Sequence, residues 1–257
     1  MNKPLTLAMV VLAVVFCRAT QVTARPNVLF IAVDDLNDWI GCMNGHPQAI
    51  TPNMDRLAAR GVLFTNAHCA APACNPSRAA IFCGRMPSVS GVWSNQSGSL
   101  ETRYPEAQLL TKAFSQAGYQ TLGTGKLLHS RSKRIFDEYF GVEQRWSPLS
   151  KAAVKYTHEE LPSKGTEDPR HLAKYSLGRQ VLLPLNRMPS DRGPQKRDGE
   201  SFDWGPFDVP DSDFGDTQIT DWAMKKIKQD HERPFFLGVG YYRPHIPLWA
   251  PKRFFDR

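Results

Sequence analysis

The 257-residue chain is 41% hydrophobic and 22% charged, an ordinary globular composition that excludes a collagen-like, low-complexity or intrinsically disordered protein. Its 32 basic and 25 acidic residues give a formal charge of +7, but no basic run with interleaved aromatics speaks for nucleic acid. The apolar content suffices for one large domain or two small ones, and no internal repeat divides the chain.

Residues 1–24 stand apart. Lys3 precedes an acid-free apolar run, Leu5 to Phe16, and Val22-Thr23-Ala24 supplies the small-x-small ending of a cleavage site. The run falls short of the about 20 residues that a bilayer crossing needs, so the segment reads as a secretory signal peptide. The mature chain is therefore expected to be exported (periplasmic, secreted or lysosomal according to organism), with no membrane anchor. Loss of Lys3 and Arg18 lowers the charge to +5, a modest excess that suits an anionic substrate as well as a plain solvated surface. Of five cysteines, Cys17 leaves with the leader. Cys42, Cys69, Cys74 and Cys83 remain, enough for two disulfides, or for one residue with a chemistry of its own. No CxxC or HxxxH spacing points to zinc.

Asn27 to Val33 (NVLFIAV) is a continuous, β-branched apolar run and predicts a buried parallel strand ending at Asp34-Asp35. Thr51 as cap and Pro52 in the first turn predict a helix start, with Met54, Leu57 and Ala58 on the apolar face and Gly61 as the stop. Val62 to Phe64 reads as a short strand. A helix is expected over Ser77–Phe82, another over 107–117, and a strand over 119–123. Residues 142 to 212 are polar and rich in Pro, Gly, Lys and Arg, and read as a loop-rich insertion with little regular core. A helix over 216–229 and a buried strand over 234–240 (PFFLGVG) follow. Strands alternating with helices predict an α/β fold around a mainly parallel sheet. Ligands bind such sheets beyond the carboxyl ends of the strands, where Asp34-Asp35 and Tyr241 to His245 both fall.

Adjacent carboxylates after a buried strand repel, and a divalent cation relieves that repulsion; oxygen-only ligands favour calcium or magnesium. A turn or helix cap explains the pair equally well. Cys74-Asn-Pro-Ser-Arg78 puts a nucleophile at a helix start, where unpaired backbone N–H groups and the positive dipole end favour an anion. Arg78, one turn on, offers planar donors to oxyanions. The bland alternative is a buried or disulfide-bonded cysteine.

C-x-P-S-R behind a strand-terminal Asp-Asp resembles the sulfatase signature, and the wider chain is similar to the iduronate-2-sulfatase branch and its bacterial relatives. The segments that carry the resemblance are Arg25 to Leu36, Thr51 to Leu57, Gly118-Tyr119, Gly125-Lys-Leu-Leu-His129, Pro234 to Gly240 and Arg243-Pro-His-Ile-Pro247. They run in family order, while 142–212 matches weakly. The resemblance implies an alkaline-phosphatase-like α/β fold, with 25–257 as the N-terminal part of the catalytic domain. It also implies a site in which Cys74 is oxidised to formylglycine by a formylglycine-generating enzyme. Asp34, Asp35 and the modified Cys74 would ligate Ca2+. Arg78 would steady the formylglycine, Lys126 and His245 would hold sulfate oxygens, and His129 would take a proton as sulfate is expelled. The implied substrate is a sulfated polysaccharide or oligosaccharide, with 2-O-sulfated iduronate the nearest model. Singly, Lys126, His129 and His245 also read as a loop lysine, a helix-end histidine and a turn stiffener.

Two departures from the family stand out. Phe82-Cys83-Gly84-Arg85 replaces the usual Leu-Thr-Gly-Arg, leaving Cys83 either paired with Cys69 or free. The sequence given also ends at Arg257, where such sulfatases run on to further calcium ligands, a second substrate lysine and a smaller C-terminal subdomain. The expectation is an impaired sulfuric ester hydrolase. Competing readings are a phosphodiesterase or phosphonate hydrolase of the same superfamily, a non-catalytic glycan-binding fragment, and a disulfide-stapled binding domain.

Overall fold

The computed structural model describes residues 25–104, 108–129, 135–142, 148–149, 172–174, 180–182, 204–207 and 209–256. The expected leader and most of the 142–212 insertion lie outside them.

Four strands form one parallel sheet in the order β1 (Val28–Val33), β7 (Phe235–Tyr241), β2 (Gln120–Gly125), β3 (Glu138–Phe140). Helix α2 (Cys74–Cys83) and helix α5 (Leu110–Gln116) lie against one face of this sheet. There Phe30 meets Phe82 edge to face, and Phe114 stacks on Phe236 with ring centroids 4.4 Å apart. Helix α6 (Gly215–Lys228) covers the other face, packing Ile219 and Ala223 on Leu122, Leu237 and Val239. The α/β architecture with a mainly parallel sheet is therefore as expected. Among the described residues no helix is long and apolar enough to cross a membrane.

The register sets up the site. Val33 pairs with Tyr241, and Gly125 with Gly240, so β1, β7 and β2 end level at one edge. The Asp34 amide donates to the Tyr241 carbonyl at 3.1 Å, and the Lys126 amide to Gly240 at 2.8 Å. Asp34, Lys126 and the turn before His245 thus leave the sheet side by side.

Several expectations need correction. α2 begins at Cys74, not Ser77, so the cysteine is the first helical residue. Val62 to Phe64 is not a strand: Val62 and Phe64 are 81% and 76% exposed, and among the described residues no strand lies beside them to close a ladder. Thr51 precedes helix α1 (Pro52–Ala58) without a side-chain cap; its hydroxyl accepts from the Gly41 amide and donates to Asp55 instead. β1 is buried on one face only, since Leu29 and Ile31 are 47% and 48% exposed. The insertion is not wholly irregular. Strands β4 (Leu172–Lys174) and β5 (Gln180–Leu182) pair antiparallel, and β6 (Trp204–Phe207) pairs with β8 (Leu248–Pro251).

Candidate functional site

Three strand ends and one helix start converge. Asp34 follows β1, Lys126 follows β2, His245 follows β7, and Cys74 opens α2. Buried Asp34 is the hub. One carboxylate oxygen accepts from Arg78 Nη2 at 2.6 Å, and the other accepts from the Lys126 ammonium. Arg78 also donates to the carbonyls of Lys126 and, at 3.3 Å, of Leu127, so one guanidinium ties α2 to the segment after β2. Lys126 Nζ lies 3.6 Å from Cys74 Sγ and 5.7 Å from the centre of the Tyr242 ring. Asp34, Cys74 and His245 each offer a ligand atom, all within 4.8 Å of one another. Five sequence-predicted residues (Asp34, Cys74, Arg78, Lys126 and His245) are thus brought together.

The other two are placed differently. Asp35 turns outward with a positive φ of 58°, its side chain 52% exposed and its carboxylate 3.8 Å from His245 Nε2. Asp tolerates that left-handed conformation better than most residues. His129 is half-buried three residues beyond Lys126 and is not a member of the compact ligand group.

Burial alone would raise the Asp34 pKa, but the Arg78 and Lys126 charges outweigh it and hold the carboxyl below its ordinary value. His245 is shifted down too, first by burial and then by the Lys126 charge, against the Ile246 carbonyl and the two aspartates. Its Nδ1 lies 2.6 Å from the Ile246 carbonyl, which makes Nδ1 the donor and leaves Nε2 as an acceptor in the neutral ring.

The donor set tests the calcium expectation. A carboxylate, a thiol and an imidazole form a mixed set that suits zinc better than calcium, which takes oxygen ligands. Conversion of the Cys74 thiol to an aldehyde hydrate would turn residue 74 into an oxygen donor. The fit to calcium, through Asp34, Asp35 and residue 74, is conditional on that oxidation.

All four described cysteines are free, so the disulfide readings are not met. Cys83 is buried, with its thiol 3.8 Å from the Arg85 carbonyl. The start of α2 is also less open than expected. The Asn75 amide donates to Asn95 Oδ1 at 2.9 Å, and the Asn75 side chain donates to the carbonyls of Ser94 and Gly98. Sequence reasoning placed Tyr242 at this edge without a role and missed the link between Asn75 and Asn95. Their partners lie some twenty residues away or on another strand end, and no local pattern marks them.

Comparison with known proteins supplies the family. Residues 26–257 match the sequence model of the Sulfatase family, and the chain belongs to that family. It is similar to a sulfatase of Formosa agariphila, 35% identical over 238 residues that are 90% of this chain and 41% of the relative. It is also similar to the iduronate 2-sulfatase of Mus musculus, 28% identical over 254 residues that are 93% of this chain and 40% of the relative. The phosphonate monoester hydrolase of Agrobacterium radiobacter superposes with a TM-score of 0.60 at 20% identity, covering 89% of this chain and 43% of that one; this likeness concerns the fold. The chain spans about 40% of the length of these sequence relatives.

Proposed function

We propose that the cluster around Asp34 is the sulfate-handling site of a sulfuric ester hydrolase acting on a sulfated saccharide, with a 2-O-sulfated uronate as substrate. The observation that carries this reading is the Lys126 ammonium, paired with Asp34 and 3.6 Å from the Cys74 sulfur. A cation next to the helix-opening residue lowers the energy of an ionised nucleophile there and of an anionic ester approaching it. The likeness to an iduronate 2-sulfatase supports the saccharide.

Oxidised to formylglycine, residue 74 would supply as its hydrate one hydroxyl as nucleophile toward sulfur, with the S–O bond to the sugar alcohol breaking, and a second hydroxyl whose deprotonation releases sulfate as the aldehyde re-forms. A bound calcium ion would supply positive charge to Asp34, Asp35 and residue 74, charge that Asp34 otherwise draws from Arg78 and Lys126. The chain's own residues do the rest. Arg78 fixes the start of α2 against the segment after β2. Lys126 neutralises charge spreading over the sulfate oxygens. Neutral His245 presents an acceptor at Nε2, so proton donation to the leaving alcohol requires the imidazolium. An incoming sulfate ester adds negative charge and favours that form, as Asp35 does. Beyond Lys126, His129 would accept the proton as sulfate departs.

Mass spectrometry of the Cys74 peptide from exported protein should find an aldehyde, and, in protein carried to the full length of its relatives, Cys74→Ala should abolish release of sulfate from a sulfated disaccharide while Cys83→Ala retains a measurable rate. Equal loss in both variants, or a thiol at position 74 in active protein, would overturn the reading.

A further inference from the structure

The turn that carries His245 is held from outside the cluster. Asp216, the second residue of α6, accepts the Tyr242 amide on one carboxylate oxygen and the Arg243 amide on the other, each at 3.0 Å. The next links run inward. The His245 amide donates to the Tyr242 carbonyl at 2.9 Å, and Arg243 Nη1 donates to the His245 carbonyl at 3.0 Å. The Tyr242 ring also faces the Lys126 ammonium. The same helix turn is fastened a second time, since Thr220 donates to the Asp216 carbonyl and its hydroxyl lies 3.0 Å from Tyr241 Oη.

A carboxylate that takes two successive backbone N–H groups fixes both peptide planes, and charge-assisted bonds of this kind are among the stronger ones. Burial pushes the Arg243 guanidinium down to about 10, against the Asp216 charge, so Arg243 stays cationic at neutral pH. Burial raises the Asp216 carboxyl above its ordinary value, and the Tyr242 and Arg243 amides and the Arg243 charge draw it back.

We infer that Asp216 is a positioning residue: through the Tyr242 and Arg243 amides it sets where His245 stands relative to Lys126, and so sets the affinity of the cluster for a tetrahedral oxyanion. The inference rests on the sulfate reading above. Asp216 touches no substrate; it acts through the turn. Asn at this position keeps one acceptor but turns an NH2 group toward the second amide, so one bond is replaced by two opposed donors.

The test is calorimetric titration of inorganic sulfate into the 257-residue chain, its Asp216→Asn and His245→Ala variants and the double variant, at about pH 8. Asp216→Asn should weaken sulfate binding about tenfold, the effect of losing one well-made hydrogen bond to a charged group. In the His245→Ala background the same change should have an effect of less than about twofold, because both act through one element. Amide exchange of the unmutated chain gives a second readout that needs no variant to fold: the Tyr242 and Arg243 amides should exchange as slowly as those of β7. Fast exchange at these two amides overturns the inference. So does a variant that melts earlier yet binds sulfate as tightly, or losses that multiply in the double variant. Absence of sulfate binding by the unmutated chain would sink the sulfate reading and this inference together; unchanged affinity in Asp216→Asn alone would sink only the inference.

Discussion

β7 and β1 are neighbours that run the same way, and both are written as short apolar runs, yet they are buried differently. Phe235 to Gly240 of β7 are all buried, while β1 alternates between covered and open positions. Leu29 pairs with Leu237 and Ile31 with Val239, on the face that α6 covers. α6 reaches Leu237 and Val239 but leaves Leu29 and Ile31 open. A strand's own sequence states that it can be buried; which faces are covered depends on where helices such as α2 and α6 pack. At their carboxyl ends the two strands become alike again, since each delivers one buried polar residue, Asp34 or His245, to the same cluster.

Three measurements can break or sharpen this contrast. Equilibrium urea unfolding should find Leu237→Ala costing about 4 kcal/mol and Ile31→Ala about 1 kcal/mol or less. Similar losses at both positions would mean that the open face of β1 is covered in solution. Asp34→Asn should cost about 3 kcal/mol, because it leaves the Arg78 and Lys126 charges buried without their counter-charge, whereas exposed Asp35→Asn should change stability by under about 0.5 kcal/mol. A mild Asp34→Asn would show that water reaches the hub. The smallest effect is on pH dependence. Asp34 has its pKa lowered in the folded state, so its stabilisation is complete above its ordinary value of 3.8 and is lost as pH falls below that value. The difference between wild type and Asp34→Asn should therefore be constant above that pH and shrink on further acidification. A difference that grows there contradicts the assignment.

Much of the fold was legible because strands, stops and caps are local. The Asp34-Asp35 step, the run into β7 and the break at Gly118 all lie within a few residues of their cause. The convergence of Cys74, Lys126 and His245 was legible only through resemblance, since those residues come from separate elements. Three of the errors share one origin. Val62 to Phe64 has strand-forming side chains but no partner strand, and partners are not written locally. The outer face of β1 and the β4–β5 pair failed for the same reason. The Asn75–Asn95 link was invisible because hydrogen bonds between distant loops follow no sequence period.

The close approach of β2 and β7 has its own consequence. Gly125 has a φ of 72°, and a Cβ there would meet the Gly240 carbonyl oxygen at 2.0 Å; one on Gly240 would meet the Lys126 carbonyl oxygen at 2.2 Å. Beneath the ammonium and imidazole the protein is bare main chain, with no room for even a methyl group. Natural variation or directed evolution therefore has no handle at these two positions. Any retuning has to come from the rim, on residues such as those of the Ser94–Gly98 loop, while the ground under Lys126 and His245 stays fixed.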